Sequence, residues 1–396
     1  MISGIGGGVL MWAVHFLSKA IPAGEYGLFG ALMAVGMCIP AMPLQMILAQ
    51  QTAKAIACHR EGELSGMIRL LWRWTFVLWF VGAVVVLIFQ ESILKGWEAS
   101  SPAGLWLMLP VLLLSIWGPM FGGILQGQQN FLWLGWSGIF NAFFRLSVAA
   151  FAVLALGGRA AGMVTGVLVG AGISQAIAFW QTRSLWLLPP LPFDWRGLLR
   201  QVIPLVLACA AFQFLFTADT MFVKTYFSPD EVGFYVGAGT LSRALMWLVG
   251  PLATVMFPRI VHHSAKAEKT DLMGLVLLGT AIMAVAGAIC LSVLGPWIIK
   301  LVYKQSYVAV ASAVLPWYAA AMVPLALANV LLNNLMARSL FRAVPALCLL
   351  AVAYGLALTH FHHSLVSVLK TCGVFNLLLL AVCASFTWVK PSVRCS

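Results

Sequence analysis

Twelve long apolar runs constrain the fold of this 396-residue chain more than any other feature of its sequence. Each run has roughly 17 or more residues, and a helix rising about 1.5 Å per residue then crosses the hydrocarbon core of a bilayer. Charged residues make up only 9% of the chain, against roughly 25% in soluble domains. We therefore predict an all-α polytopic membrane protein with about twelve transmembrane helices, at 1–18, 27–50, 70–90, 104–126, 133–157, 160–183, 199–224, 230–256, 272–294, 310–336, 343–360 and 364–389.

The same chain contains an internal repeat with a spacing of 206 residues. The Glu-Tyr-Gly-Leu-Phe motif at 25–29 recurs as Glu-Val-Gly-Phe-Tyr at 231–235, and the Leu-Pro pair at 109–110 recurs at 315–316. Each half holds six apolar runs, an even number, so both halves enter the membrane from the same side. The sequence predicts two six-helix bundles related as parallel repeats around a central cavity.

A proline-rich stretch separates the two predicted bundles. Pro189, Pro190 and Pro192 lie within four residues of one another, and proline cannot continue a helix from its interior. We predict an N-terminal six-helix bundle over 1–186, a Pro-rich cytoplasmic linker over 187–198 and a C-terminal six-helix bundle over 199–396.

The net charge of +12 follows from membrane topology in this interpretation. Thirteen of the 23 Lys and Arg residues fall on the same side of the predicted membrane as the C-terminus, and six fall on the opposite side. The positive-inside rule then places both termini in the cytoplasm. Anionic membrane lipids, rather than nucleic acid, are the expected partners of this basic surface. The first apolar run is expected to be a retained helix, and the sequence leaves open whether Met1 is the native start.

Asp219 is the one acidic residue placed inside a predicted span. A carboxylate in hydrocarbon costs several kcal/mol unless it faces a cavity, a cation or a basic partner. One hypothesis gives Asp219 a cation-coupling role, with Na⁺ or H⁺ as the coupling ion. The other hypothesis makes it a member of a structural ion pair near the outer interface.

Two arginines lie near the middle of predicted spans, where their side chains cannot easily reach the headgroups. Arg145 and Arg243 are candidates for lining a cavity and binding substrate, or for a structural hydrogen-bonding role. Asn141 precedes Arg145 by four residues, which puts an amide and a guanidinium on one helix face, suited to a phosphate or a sugar. Arg73 and Lys370 lie closer to span ends and are expected to extend to the interface.

A second pair of amides, Asn329 and Asn333, also shares one helix face. Buried amides in membranes often join helices, and the alternative is a sugar-binding or cation-binding role. The sequence has no paired catalytic acids, nucleophile elbow, phosphate-binding loop or zinc-binding helix motif. We therefore expect no enzyme, no metal site and no cofactor apart from a coupling Na⁺ or H⁺.

Three stretches resemble the polysaccharide-biosynthesis flippases, which are related to multidrug extruders and to the lipid II flippase. They are 25–50, the Leu-Gln-Gly-Gln-Gln-Asn-Phe run at 125–131, and the run Ala-Asp-Thr-Met-Phe-Val-Lys at 218–224 continuing to 235. The resemblance implies a transporter of the bacterial inner membrane that moves an isoprenoid-pyrophosphate-linked oligosaccharide to the outer leaflet. It further implies that arginines, here Arg145 and Arg243, receive the pyrophosphate, and that an acid, here Asp219, takes part in cation coupling.

Four basic residues against one acid within the spans favour an anionic substrate. A cation-coupled multidrug antiporter of the same fold is one alternative. A polytopic protein that partners a glycan polymerase without transporting anything is another. The sequence does not identify the glycan, the coupling ion or the oligomeric state.

Overall fold

The computed structural model describes residues 8, 10–99, 101–265, 272–338 and 340–388, and the regular structure within these ranges is helical. The helices are α1 Ala23–Met37, α2 Met42–Ala57, α3 Glu61–Ile88, α4 Gln90–Gly96, α5 Ala103–Gly127, α6 Phe131–Leu154, α7 Arg159–Trp186, α8 Trp195–Tyr226, α9 Pro229–Ala265, α10 Leu272–Val302, α11 Ser306–Ala337, α12 Val344–His360 and α13 Leu365–Trp388, with short 3₁₀ segments at Val14–Lys19 and Phe341–Ala343. An all-helical chain is what hydrocarbon requires, because a helix satisfies its own backbone donors and acceptors.

The prediction of an all-α polytopic membrane protein is confirmed. Nine helices in the described ranges are long and apolar enough to cross a membrane, and the bent pair α1 and α2 makes a tenth. These ten correspond to ten of the twelve predicted crossings. The predicted crossing at 230–256 lies within α9, which is 37 residues long, and the one at 1–18 falls partly outside the described residues.

The predicted crossing at 27–50 is interrupted in the structure. Helix α1 ends at Met37 and α2 begins at Met42, and their axes differ by 41°. Pro40 lies in the break and Pro43 is the second residue of α2. Proline lacks an N–H and its ring collides with the preceding turn, so the chain bends where Pro40 would have to continue the helix. Counted as one crossing, the pair is broken near its middle.

Three helix boundaries follow the 206-residue repeat. Helix α9 begins 206 residues after α1, α13 begins 206 residues after α7, and α12 ends 206 residues after α6. The repeated prolines Pro110 and Pro316 both lie inside long helices, α5 and α11. The repeat seen in the sequence therefore has its counterpart in where the helices begin and end.

The described chain forms two compact units. One comprises 1–210 with 228–233, and the other comprises 211–227 with 234–396. The division falls inside helix α8, whereas the predicted domain boundary lies at 187–198. The assignment of 1–186 and 199–396 to separate bundles stays a prediction.

In the first unit, partly buried aromatic rings of α3, α5 and α7 pack together against a buried apolar cluster. Trp72 lies 4.9 Å from Trp117 and 5.9 Å from Phe179, measured between ring centroids, and Phe179 lies 4.3 Å from Trp186. Tilted aromatic pairs at such distances stabilise a core beyond the area they bury. This cluster joins the three helices at the end of the unit where the linker starts.

A row of glycines holds α7 against α6. Gly162, Gly166 and Gly170 recur every four residues and lie on one face of α7. A Cβ added to Gly166 would lie 2.5 Å from the carbonyl oxygen of Arg145, and one added to Gly170 would lie 2.5 Å from the carbonyl oxygen of Asn141. Small residues at this spacing let two membrane helices approach backbone to backbone. The close approach fixes the main chain of α6 at the two predicted site residues.

We expect Gly166→Ala to destabilise the first unit by about 1–3 kcal/mol, because its methyl group would force α6 and α7 apart. Gly138→Ala is the matched control, since Gly138 lies on α6 with open space around its missing Cβ. Thermal unfolding in detergent measures both. Equal melting temperatures for the two variants would show that the helices can separate without cost.

The linker after α7 is bound to the beginning of α3. Arg69 donates hydrogen bonds to the carbonyl oxygens of Trp186 and Leu188, at 3.0 Å each. Ser65 donates to the same two oxygens, at 3.1 and 2.8 Å. These carbonyls have lost their helical partners because α7 ends there, so two side chains satisfy them.

We expect Arg69→Ala to release this linker and to raise the rate of tryptic cleavage after Arg183, in the adjoining last turn of α7. The matched control is Arg73→Ala, one turn further along α3, where the arginine is exposed. Limited proteolysis followed by mass spectrometry compares the two. Unchanged cleavage in the Arg69 variant would mean that Ser65, together with the hydrogen bond from the backbone N–H of Leu191 to the carbonyl oxygen of Gly62, retains the linker without Arg69.

The two repeated glutamates are used differently. Glu231 accepts hydrogen bonds from the backbone N–H of Ser228, at 3.1 Å, and from its hydroxyl, at 2.7 Å, which closes the first turn of α9. Glu25 instead accepts from the backbone N–H of Ala160, at 3.2 Å, at the first turn of α7. A carboxylate at a helix N-terminus is favourable in either case. Equivalent positions in the repeat thus stabilise different helices.

Candidate functional site

Asp219 lies on α8 and is 1% exposed. Its Oδ1 forms an ion pair with Nη2 of Arg243 at 2.8 Å. Its Oδ2 accepts hydrogen bonds from the hydroxyl of Tyr235, at 2.7 Å, and from the hydroxyl of Tyr318. Both carboxylate oxygens are therefore partnered, as a buried charge in hydrocarbon requires.

Arg243, on α9, is held from several directions. Its Nη2 also donates to the hydroxyl of Thr220 at 2.8 Å, and its Nε donates to the carbonyl oxygen of Phe216 at 3.3 Å. The rings of Phe216 and Tyr318 lie 5.5 Å from the guanidinium carbon. The side chain is 13% exposed. We call Asp219, Arg243, Tyr235, Tyr318 and Thr220 the Asp219 network.

The Asp219 network forms because α8, α9 and α11 each contribute a polar group to an apolar interior. Asp219 pairs with Arg243, which lies 24 residues later in the chain, although Lys224 is much closer in sequence. Five residues along one helix do not bring two side chains to the same face, whereas a neighbouring helix does. The arrangement neutralises one of the basic residues that were predicted to attract an anion.

The first unit contains a second polar group, centred on Arg145. The Nε atom of Arg145 is buried and has no hydrogen-bond partner among the described residues. His15 lies close enough to interact with Arg145 electrostatically, and its Nδ1 lies 2.8 Å from the hydroxyl of Tyr26. Arg145 sits within the membrane-crossing helix α6. It differs from Arg243 in having no carboxylate beside it in the described chain.

The predicted amides are placed as follows. Asn141 is one turn before Arg145 on α6 and is partly buried. Asn333 donates through Nδ2 to the backbone oxygen of Asn329, at 2.8 Å, and to its Oδ1, at 3.2 Å. The two α11 amides therefore share one face, as predicted. Their proposed roles in binding, like those of Arg145, Arg243 and Asp219, stay predictions.

Sequence reasoning missed several residues at these places. Tyr235 and Tyr318 were not singled out, although a buried tyrosine hydroxyl in an apolar segment needs an acceptor and Asp219 was the one acid available. His15 was not considered, although it interrupts the first apolar run. The glycines of α7 were also missed, although their four-residue spacing is a recognised helix-packing pattern.

The structure also bears on two other kinds of site, a metal site and a cavity. Within the described ranges, no group of three or more His, Cys, Asp or Glu side chains is arranged to hold a metal ion. A cavity of about 290 Å³ in the first unit borders Glu25, Ser101 and Arg159, beside the beginning of α7. The predicted binding residues do not line that cavity.

Comparison with known families adds independent information. Residues 14–264 match the model of a family described as polysaccharide biosynthesis protein. No curated protein sequence matches the chain significantly.

Solved structures share the fold. The lipid II flippase MurJ, in an inward closed conformation, superposes with a TM-score of 0.74 at 13% identity, covering 97% of this chain and 86% of the other. An inward-facing multidrug resistance MATE family transporter of the MOP superfamily gives a TM-score of 0.71 at 12% identity, covering 95% and 92%. A MOP superfamily transporter from Pyrococcus furiosus, described as having a binding pocket of reverse polarity, gives 0.56 at 11% identity, covering 98% and 90%.

Proposed function

Because the chain belongs to the polysaccharide biosynthesis protein family, we propose that it moves an isoprenoid-pyrophosphate-linked oligosaccharide from the cytoplasmic to the outer leaflet. The family supports a saccharide substrate. The fold shared with a lipid II flippase supports movement of a lipid-linked headgroup. The chain acts as a transporter and not as an enzyme in this proposal, in the bacterial inner membrane with both termini cytoplasmic.

The proposal rests mainly on one observation, the buried Nε of Arg145 that has no hydrogen-bond partner among the described residues. A guanidinium inside a membrane-crossing helix, whose buried Nε has no hydrogen-bond partner among the described residues, favours an anion as its partner. A pyrophosphate suits it, because guanidinium binds phosphate oxygens through paired hydrogen bonds. We assign Arg145 the main contact with the pyrophosphate.

The remaining predicted residues have supporting roles in the proposal. Asn141 lies one turn from Arg145 and offers an amide to the same headgroup. Asn329 and Asn333 offer amides to the sugars. Arg243 attracts the anionic headgroup only to the extent that Asp219 does not neutralise its charge.

A cation-coupled multidrug antiporter is the second candidate, and the shared MATE fold is the observation that favours it. An organic cation needs an available carboxylate. Asp219, the one acid placed within the spans, already has Arg243, Tyr235 and Tyr318 on its two oxygens. A polytopic partner of a glycan polymerase is the third candidate, and it predicts no transport at all.

Movement of a fluorescent polyprenyl-pyrophosphate oligosaccharide between the two leaflets of proteoliposomes tests the proposal. An impermeant quencher outside reports the leaflet that carries the label. We expect protein-dependent exchange between leaflets, absent from protein-free liposomes. Counterflow of an organic cation without lipid exchange would establish the antiporter. If the protein shows neither lipid exchange nor cation counterflow, the result would favour the polymerase partner.

A further inference from the structure

The oxygen atoms around Arg243 are of the kinds that bind metal cations. The guanidinium is bonded to a carboxylate oxygen of Asp219, the hydroxyl oxygen of Thr220 and the backbone carbonyl oxygen of Phe216. Hard cations in proteins are held by these same three types of oxygen. The positive charge at this place is supplied by the chain itself.

Little capacity is left on the carboxylate for another cation. Oδ1 of Asp219 is bonded to Arg243, and Oδ2 accepts from both Tyr235 and Tyr318. The carboxylate is 1% exposed, so water does not compete for it. Among the described residues, the other titratable groups within electrostatic reach are the hydroxyl of Tyr354 on α12 and the thiol of Cys372 on α13. Neither brings a positive charge.

We infer that Arg243 is a tethered counter-cation for Asp219, and that it occupies the place where a soluble Na⁺, K⁺ or H⁺ would otherwise neutralise the carboxylate. A covalently attached cation cannot be released on either side of the membrane. Transport by this chain is then independent of ion gradients acting through Asp219. Arg243 is a positioning residue in this role, and removing it opens a cation site.

The inference deepens the proposed function and rests on it only for the transport measurement, since ion binding is measured separately by thermal stability. The purified protein and the Arg243→Ala variant are melted in a large organic cation that is too big to enter, in Na⁺, in K⁺ and over a series of pH values. We expect no specific response from the unaltered protein. For Arg243→Ala we expect stabilisation by Na⁺, K⁺ or acid, by about 2 °C or more once the ion exceeds about ten times its dissociation constant.

Two further variants give the controls. Arg243→Lys keeps a tethered charge and is expected to ignore the added ions, as the unaltered protein does. Asp219→Asn combined with Arg243→Ala removes the carboxylate and is expected to lose the ion response that Arg243→Ala gains. The same ion series in the transport assay then shows whether flux follows the thermal result.

Three results would overturn the inference. The first is specific stabilisation of the unaltered protein by Na⁺, K⁺ or acid that disappears in Asp219→Asn, which would place a soluble ion beside Arg243. The second is an Arg243→Ala variant that folds and responds to no ion or pH. The third is an ion response that survives in the double variant.

If Arg243→Ala fails to fold, Arg243→Gln, which keeps hydrogen-bond donors without the charge, takes its place. Absence of lipid transport alongside the expected thermal result would count against the proposed function and leave the inference standing.

Discussion

Arg145→Ala is expected to reduce transport of a polyprenyl-pyrophosphate oligosaccharide by about 10- to 100-fold at limiting substrate. A hydrogen bond to a charged group contributes about 1.5–3 kcal/mol, and about 1.4 kcal/mol is a factor of ten. The variant loses an interaction with the charged headgroup. We therefore expect the unaltered protein and the variant to move a substrate that lacks the pyrophosphate at the same rate. The quencher assay in proteoliposomes measures both rates.

Two comparisons separate substrate binding from folding. Arg145→Lys keeps the charge but loses the paired donors of the guanidinium, so we expect partial activity. Arg73→Ala changes an exposed arginine on α3 and should transport normally. Full activity of Arg145→Ala, in protein that inserts and melts normally, would show that Arg145 does not bind the pyrophosphate.

Asp219→Asn is expected to destabilise the second unit by about 3–5 kcal/mol, the range found when one partner of a buried ion pair is removed. The amide can still accept hydrogen bonds from Tyr235 and Tyr318. Arg243, however, would lose its counter-charge inside the membrane. Loss of thermal stability in detergent, or of resistance to denaturant, measures the effect.

The double variant Asp219→Asn with Arg243→Met tests the cause. Removing both charges should restore most of the stability, because Met fills similar volume without needing a partner. A double-mutant cycle over the four proteins gives the coupling between the two side chains. If the loss of unfolding free energy in the double variant equals the sum of the losses in the two single variants, the two residues act independently. The ion pair would then not be what stabilises the unit.

The repeat shows how far the sequence alone can predict the fold. The motifs at 25–29 and 231–235 located α1 and α9, and the same spacing matches the beginnings of α7 and α13. Apolar runs and a repeat are local or periodic signals, so they are visible without tertiary contacts. The break between α1 and α2 was less visible, because Pro40 permits either a kink or a full interruption.

The repeat also shows where duplication stops predicting chemistry. The places 206 residues before Asp219 and Arg243 are occupied by Ala13 and Met37, and the place 206 residues after Arg145 by Ala351. The halves therefore share helix positions and differ in their polar groups. Glu25 and Glu231 also differ, because Glu25 caps α7 and Glu231 caps its own helix, α9.

The sequence by itself determined the membrane environment, most of the crossings, the twofold repeat and the small set of charged residues that hydrocarbon would not tolerate without a reason. Which partner each charge has was decided only by the tertiary structure. Asp219 meets Arg243 and two tyrosines from helices far apart in the chain, while Arg145 is packed by glycines and keeps a buried nitrogen unbonded. The physical reason is that burial cost depends on residue type and can be read from sequence, whereas its compensation depends on which helices pack together.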